Sequence, residues 1–366
     1  MNPQPFPTYL QQLSAALKAG NATEHTHRSV LKALMEALDG TVTATNEPKR
    51  MACGAPDYIV TRGELPLGYI EAKDVGVDLD AVENSEQLQR YRASLANLVL
   101  TDYLEFRWYM NGERRLTTRL AGPSSGAAVH ALKATPEAIE SVAELLTHFL
   151  TATAPLIVTP RELALRLAAQ ARLLRGLIQQ ALAVESTNGS LHGQLQAIQE
   201  VLLPYLTVEQ FSDLYAQTLC YGLFTACCYA KPGTHFTRQH AAYDLPRTHP
   251  FLRMLFNHIA GPELNEDIAW AVDEATELLA RADIAAILQD FGQRTHQEDP
   301  VVHFYETFLA AYDPALREAR GVYYTPEPVV SWLVRSVNAV LKQTFGLPLG
   351  LADASKIPIQ KEEQRR

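Results

Sequence analysis

The spacing of hydrophobic residues changes along the chain and predicts distinct structural regions. Residues 22–38 carry a helical apolar stripe, and residues 42–120 then alternate short apolar runs with polar turns. Helical periodicity returns at residue 160 and continues to about residue 316. A last helix is expected over residues 327–344, followed by a polar tail. This order favours an α/β region followed by an all-α region.

Strands and helices are both expected inside the mixed region. Residues 57–60 and 67–73 are predicted to be strands joined by the turn-rich segment TRGELP. A helix is expected over residues 82–94, and a buried strand over residues 95–102. Asn111-Gly112 lies between two further alternating segments and is a strong hairpin signal. These elements predict an α/β domain.

Helix-start signals and a linker mark the domain boundaries. Thr135-Pro136 opens a helix that is expected to reach about Leu150. The segment TATAPLIVTP, residues 151–160, then separates the α/β region from the helical one. The predicted units are residues 1–155, an α/β domain; residues 156–316, an all-α helical spacer; and residues 317–366, a short C-terminal unit.

Composition places the chain among soluble globular proteins. Its 366 residues are 47% hydrophobic and 20% charged, and no run of about 18 apolar residues predicts a membrane span. The first residues lack a basic stretch followed by an apolar one, so no signal peptide is expected. Four cysteines without metal-binding spacing favour reduced thiols and a cytoplasmic location: Cys53, Cys220, Cys227 and Cys228.

One short stretch carries candidate chemistry, the segment GYIEAKD at residues 68–74. Alternate side chains of a strand share a face, so Glu71 and Lys73 are expected to point the same way. An antiparallel hairpin would bring Asp57, at the outer end of the first strand, next to them. Two carboxylates and a lysine would then meet at one point. The alternative is a charged hairpin that faces solvent.

Such a set is what metal-dependent phosphodiester hydrolysis needs. Mg²⁺ prefers carboxylate and carbonyl oxygens, polarises the phosphoryl group and acidifies a bound water. Asp57 and Glu71 would bind the metal, and the backbone carbonyl of Ala72 can add a ligand. Lys73 would orient or deprotonate the attacking water and offset charge in the transition state.

The pattern PD-x13-E-x-K, from Pro56-Asp57 to Lys73, resembles the catalytic core of the PD-(D/E)XK nuclease superfamily. The resemblance implies a Gln-x3-Tyr helix beside the site, which Gln87 and Tyr91 match, although a polar helix surface would show the same spacing. It also implies a glutamate on an N-terminal helix that completes the metal shell. Glu24 fits that place, with a favourable acid in the first helical turn as the alternative.

A second resemblance lies near the C-terminus. GVYYTP, residues 321–326, and its flanks are similar to the entry of N6-adenine DNA methyltransferase domains in fused restriction-modification enzymes. In that family the segment lies near the methionine end of S-adenosylmethionine, which implies cofactor contacts for Tyr324, Thr325 and Pro326. The order of nuclease, helical spacer and methyltransferase start resembles Type IIG enzymes, and also Type I single-polypeptide enzymes without their helicase.

The chain departs from that family after this segment. It has no glycine-rich cofactor loop and no NPPY-like motif, which would hold a flipped adenine. We therefore expect the N-terminal part of a longer enzyme, ending in an incomplete methyltransferase stub and unable to methylate DNA by itself. The expected cofactors are Mg²⁺ or Mn²⁺ here and S-adenosylmethionine in the full-length enzyme. The expected partners are double-stranded DNA and the missing C-terminal part, which a separate chain can supply.

Charge limits this interpretation. The net charge of −9 counts against a freestanding nucleic-acid-binding domain. Two sets of arginines could contact phosphates, but pairing with nearby glutamates is the favoured interpretation for both. The first set surrounds the predicted hairpin, and the second lies on one spacer helix: Arg107, Arg114, Arg115 and Arg119, then Arg161, Arg166, Arg172 and Arg175. The competing hypothesis is a catalytically silent fragment, or a subunit that pairs with a separate methyltransferase chain.

Overall fold

A six-stranded mixed sheet organises the first part of the chain in the computed structural model. The structure describes residues 4–18, 24–46, 55–63, 65–121, 132–153, 155–230, 236–239, 241, 256, 264–295, 300–315 and 327–355. The strands are β1 Val42–Asn46, β2 Tyr58–Arg62, β3 Leu65–Ala72, β4 Asn97–Thr101, β5 Glu105–Met110 and β6 Glu113–Arg119. They lie in chain order across the sheet. The predicted α/β character of this region is therefore confirmed.

The sheet is antiparallel except at its centre. β3 and β4 pair in parallel, with Tyr69 opposite Leu98, and the crossover between them carries two short helices. Every residue of β4 is buried, as expected for a central strand covered on both faces. At Asn111-Gly112 both φ angles are positive, 53° and 81°, so the predicted β5–β6 hairpin turns as its sequence indicates.

Helices flank the sheet and then form the second half of the chain. Before and around the sheet they are α1 Pro5–Lys18, α2 Glu24–Leu38, α3 Leu79–Glu83, α4 Glu86–Ser94 and α5 Pro136–Thr151. After it come α6 Pro160–Val184, α7 Ser190–Val201, α8 Val208–Tyr229, α9 Glu266–Ala280, α10 Ile284–Thr295, α11 Pro300–Tyr312 and α12 Glu327–Gln343. A 3-10 helix, Gly350–Ala352, follows α12.

The helix predicted over residues 82–94 is wrong in one respect, because two helices occupy this stretch. α3 begins at Leu79, after Asp78, whose side chain accepts a hydrogen bond from the backbone of Asp80. α4 begins after Ser85, whose hydroxyl accepts from the backbone of Leu88. Each N-cap side chain satisfies backbone groups that a continuous helix would use, so the helix restarts there. The helix start predicted at Thr135-Pro136 is confirmed, and the Thr135 side chain caps α5. The Thr159 side chain caps α6 in the same way.

The sheet separates two hydrophobic cores. One face packs against α1, α2 and α5, with Ile70 and Ala72 of β3 pointing into that core. The other face, which carries Tyr69, packs against α4 and the helices that begin with α6. The side-chain alternation predicted for β3 is thus confirmed, and both faces of this strand are buried.

The helical half joins the sheet through direct contacts. Gln170 of α6 donates to the backbone carbonyl of Ser94 at 2.7 Å. Tyr69 of β3 donates to buried Glu274 of α9 at 3.0 Å. By contrast, α12 leaves most of its apolar side chains exposed, including Leu333 and Val337. Among the described residues, no helix is long and apolar enough to cross a membrane.

Candidate active site

The β2–β3 hairpin brings Asp57 to the end of β3. Tyr58 pairs with Ile70 across the hairpin, so Asp57 lies opposite Glu71. One carboxylate oxygen of Asp57, Oδ2, accepts a hydrogen bond from the backbone amide of Ala72 at 2.7 Å. This contact fixes the orientation of the Asp57 side chain. The approach of Asp57 to the end of β3, predicted from the short turn, is present.

Glu71 and Lys73 form an ion pair at the same place. Lys73 Nζ lies 2.5 Å from Oε1 of Glu71, and only 3% of the Glu71 surface is exposed. The other oxygen of Glu71, Oε2, is buried without a hydrogen-bond partner among the described residues. The backbone amide of Lys73 donates to the carbonyl of Thr101 at 2.8 Å, which ties the end of β3 to β4.

Burial perturbs the pKa of Glu71. Loss of hydration raises this pKa, the nearby charge of Asp57 adds to the rise, and Lys73 opposes both effects, so that the pKa lies at about 7. Two carboxylates close together in a dry environment resist being ionised at the same time. A bound cation would relieve that repulsion, so the pair is suited to holding one.

Gln87 and Tyr91 are residues of α4 and lie beside the carboxylates of Asp57 and Glu71. Gln87 Nε2 donates to the Tyr91 hydroxyl at 3.1 Å, as their i, i+4 spacing allows. Burial raises the pKa of Tyr91, and the charges of Glu71 and Asp57 raise it further. The hydroxyl of Tyr91 therefore stays protonated at neutral pH. All five positions predicted to be catalytic thus lie in one region of the structure: Asp57, Glu71, Lys73, Gln87 and Tyr91.

Helix α2 adds a residue that the sequence interpretation missed. Arg28 Nη2 contacts Oδ1 of Asp57 at 2.6 Å, and both side chains are largely buried. The Tyr58 hydroxyl donates to the backbone carbonyl of Arg28 at 2.9 Å, which anchors this turn of α2 to β2. A signal was present in the sequence, because Arg28 lies three residues before buried Leu31, on the apolar stripe of its helix.

Several predicted ligands fall outside the described part of the structure. The backbone of Glu24 begins α2, but its side chain is not described, so its place in a metal shell stays a prediction. Tyr324, Thr325 and Pro326 also lie outside the described residues. Among the residues described, no group of three or more His, Cys, Asp or Glu side chains is arranged to hold a metal ion.

The hairpin arginines are paired, as the favoured interpretation predicted. Arg107 contacts Asp80 at 2.7 Å and Glu83 at 2.9 Å, and its Nε donates to Glu105. The other three also contact carboxylates: Arg114 contacts Glu83, Arg115 contacts Glu113, and Arg119 contacts Glu105. On α6, Arg166 pairs with Glu162, Arg175 lies 3.7 Å from Asp213, and Arg172 donates to the carbonyls of Ala311 and Tyr312.

Comparisons with known proteins give a distant likeness. Neither a protein-family model nor a curated protein matches the sequence. Among solved structures, the chain is similar to the cryo-EM structure of a DrdV–DNA complex, with 17% identity and a TM-score of 0.33. That alignment covers 96% of this chain and 33% of the other, so the chain spans about a third of the length of that protein. A likeness this weak assigns neither fold nor function.

Proposed function

We propose that this chain is the nuclease-bearing part of a restriction-type enzyme that hydrolyses phosphodiester bonds of double-stranded DNA with Mg²⁺ or Mn²⁺. The observation that carries the proposal is the meeting of Asp57, Glu71 and Lys73 at the end of β3. Glu71 lies in β3, Lys73 follows that strand, and Asp57 directly precedes β2, so the pairing of the two strands brings them together.

The donor set fits a hard divalent cation. Glu71 supplies a buried oxygen, Oε2, that has no hydrogen-bond partner among the described residues. The neighbouring carboxylate of Asp57 supplies a second oxygen, Oδ1. Together with the Ala72 carbonyl and the proposed ligand Glu24, these oxygens match the ligands that Mg²⁺ and Mn²⁺ prefer. Such a cation, when bound, supplies charge that polarises the phosphoryl oxygen and lowers the pKa of a coordinated water.

The surrounding side chains have separate roles in this proposal. Lys73, held by Glu71 in the structure, would position the attacking water and offset charge on the phosphoryl oxygens. Gln87 and Tyr91 present an amide and a protonated hydroxyl next to the carboxylates, where they can orient the metal ligands or the phosphate. We assign Gln87 and Tyr91 to positioning, since their hydrogen bond to each other fixes both side chains.

The methyltransferase part of the proposal concerns a longer enzyme. We propose that S-adenosylmethionine binds there, with Tyr324, Thr325 and Pro326 at the edge of its site. The second candidate function is a catalytically silent subunit that pairs with a separate methyltransferase chain. One observation favours it, the contact of Arg28 with a carboxylate oxygen that the nuclease needs for metal.

Plasmid cleavage separates the two functions. Supercoiled plasmid is incubated with the protein and Mg²⁺ or Mn²⁺, and wild type is compared with Lys73→Ala and Asp57→Ala. Lys342→Ala, which removes a lysine on exposed α12, serves as the matched control. The nuclease proposal expects nicking that requires metal, persists in the control and falls by about a hundredfold or more in the two site variants. Metal-dependent cleavage that survives in both site variants would contradict it.

A further inference from the structure

Arg28 is placed against the very oxygen that a metal would use. Of the two Asp57 oxygens, Oδ2 accepts a hydrogen bond from the Ala72 amide at 2.7 Å, and Oδ1 is the oxygen that we propose binds the cation. Arg28 Nη2 lies 2.6 Å from that Oδ1. The Arg28 side chain is 5% exposed and Asp57 12%, so water screens this contact poorly. A guanidinium therefore balances the Asp57 charge from inside the protein.

The carboxylates of Glu71 and Asp57 therefore differ in the contacts that their oxygens make. Glu71 offers a buried oxygen, Oε2, that has no hydrogen-bond partner among the described residues, whereas Asp57 has a contact on each oxygen. A guanidinium stays protonated at any pH a protein tolerates, so it cannot make room for a divalent cation by losing its proton. A cation bound at Asp57 Oδ1 would therefore lie beside the fixed positive charge of Arg28. Their repulsion opposes metal binding unless Arg28 moves or gains an anionic partner.

The chemistry of arginine indicates what that partner is. A guanidinium binds phosphate oxygens through two parallel hydrogen bonds, and Arg28 already contacts Asp57, the carboxylate proposed to hold the metal. We propose that Arg28 exchanges Asp57 Oδ1 for a phosphate oxygen of the DNA backbone when the metal binds. This inference rests on the proposed nuclease function and makes metal binding and DNA binding depend on each other.

Such a coupling is reciprocal. If DNA removes Arg28 from Asp57 and thereby raises the affinity for metal, metal must raise the affinity for DNA by the same factor. A metal-loaded site without DNA would be disfavoured, because Arg28 and the cation would compete for one oxygen. The chain would then assemble its hydrolytic site mainly on a phosphate backbone.

Calorimetric titration with Ca²⁺ tests this without relying on cleavage. Ca²⁺ is a hard cation with oxygen ligands, and its affinity is measured with and without a short duplex oligonucleotide. Wild type is expected to bind Ca²⁺ weakly alone and about tenfold or more tightly with duplex. Arg28→Gln removes the competing charge, so it should bind Ca²⁺ alone about tenfold or more tightly than wild type and gain little from duplex.

Two further variants keep the outcome decisive. Arg28→Lys retains the charge but not the two-pronged geometry, so it should still bind Ca²⁺ weakly alone and show a smaller gain with duplex. If circular dichroism shows that Arg28→Gln does not fold, the Ca²⁺ titration of Arg28→Lys is used to test the proposal instead. Asp57→Ala should lose Ca²⁺ binding in all conditions, because it removes the ligand itself.

The two proposals fail in different ways. If wild type binds Ca²⁺ measurably but equally well with and without duplex, or if folded Arg28→Gln binds it measurably but no more tightly than wild type, the role of Arg28 is wrong and the nuclease proposal stands. If neither wild type nor Arg28→Gln binds Ca²⁺ in any condition, the metal site itself is absent. The nuclease proposal and the role of Arg28 then fail together.

Discussion

Glu71 is a carboxylate of the candidate site whose pKa is raised by burial. Its pKa lies near 7 rather than its ordinary 4.5, because loss of hydration and the charge of Asp57 outweigh the attraction of Lys73. Between pH 4.5 and about 7, without metal, the folded protein therefore holds a proton on this carboxyl group that the unfolded chain has lost. That difference links the stability of the fold to pH.

The sign of the link follows from the raised pKa. The raised pKa of Glu71 contributes to the stability of the folded protein. This contribution is fully present below pH 4.5 and is lost as pH rises to about 7, since Glu71 ionises first in the unfolded chain. We expect the loss to reach at most about 3 kcal/mol over this range, at 1.36 kcal/mol per pKa unit. Replacing Glu71 by Gln should abolish this part of the pH dependence, because an amide does not titrate.

Urea unfolding in the presence of a chelator measures the pH dependence of stability that Glu71 causes. The free energy of unfolding is compared for wild type and Glu71→Gln across pH 4.5 to 7. Glu144→Gln, which changes a carboxylate that is 67% exposed, is the control and should keep the wild-type slope. A Glu71→Gln protein with the same slope as wild type would show that Glu71 titrates normally.

At the scale of single elements, the β5–β6 turn depends on a glycine. Gly112 has a φ of 81°, and a Cβ placed on it would lie 2.8 Å from the backbone carbonyl oxygen of Arg92. Gly112→Ala therefore adds a steric overlap with backbone to the strain of the left-handed conformation. We expect this substitution to lower the free energy of unfolding by about 3 kcal/mol. The steric overlap and the backbone strain each contribute about 1–2 kcal/mol.

Gly63 provides the matched control for this prediction. Its φ is 62°, but a Cβ there would meet no atom within 4 Å. Gly63→Ala should therefore lose only about 1 kcal/mol, from conformational strain alone. Chemical denaturation of both variants checks the difference, and equal losses would mean that the close approach to Arg92 is relieved by a small shift of the turn.

Local signals explain which elements could be predicted from the sequence. The hairpin at Asn111-Gly112, the caps at Thr135 and Thr159, and the alternation in β3 depend on neighbours within a few residues, and each is present. The break between α3 and α4 also has a local cause, the N-cap at Ser85. The apolar periodicity of this stretch does not show that break. The parallel pairing of β3 with β4 has no local signature, because it is set by how both faces pack.

The same distinction holds within the site. Asp57, Glu71 and Lys73 meet through one hairpin, and Gln87 and Tyr91 through one helical turn, so sequence spacing predicts both groups. Arg28 reaches Asp57 from 29 residues away on a different element. That contact depends on where α2 packs against β2, which spacing along the chain does not encode.

On the scale of the whole molecule, one hydrophobic core crosses the boundary predicted at residue 155. Tyr69 and Leu98 of the sheet share that core with Leu167 of α6. Ser94 and Gln170 add hydrogen bonds between α4 and α6. The predicted division into separate units stays a prediction. The shared core, however, leads us to expect the sheet and the spacer to unfold together.

Two leucines on α6 test this cooperativity. Leu167 is fully buried, and Leu165 on the same helix is 51% exposed. Leu167→Ala should lower the free energy of unfolding by about 2–5 kcal/mol through lost burial and a cavity, whereas Leu165→Ala should change it by about 0.5 kcal/mol or less.

The decisive measurement follows the two halves separately. Trp108 lies in the sheet, and Trp270 of α9 packs against Tyr69, so single-tryptophan variants retaining one or the other report on each side. If the shared core makes one unit, both probes give the same denaturation midpoint, and Leu167→Ala shifts both midpoints equally. A shift confined to the Trp270 probe would mean that the sheet folds independently of the spacer. The site at the end of β3 would then keep its geometry without the helices that follow.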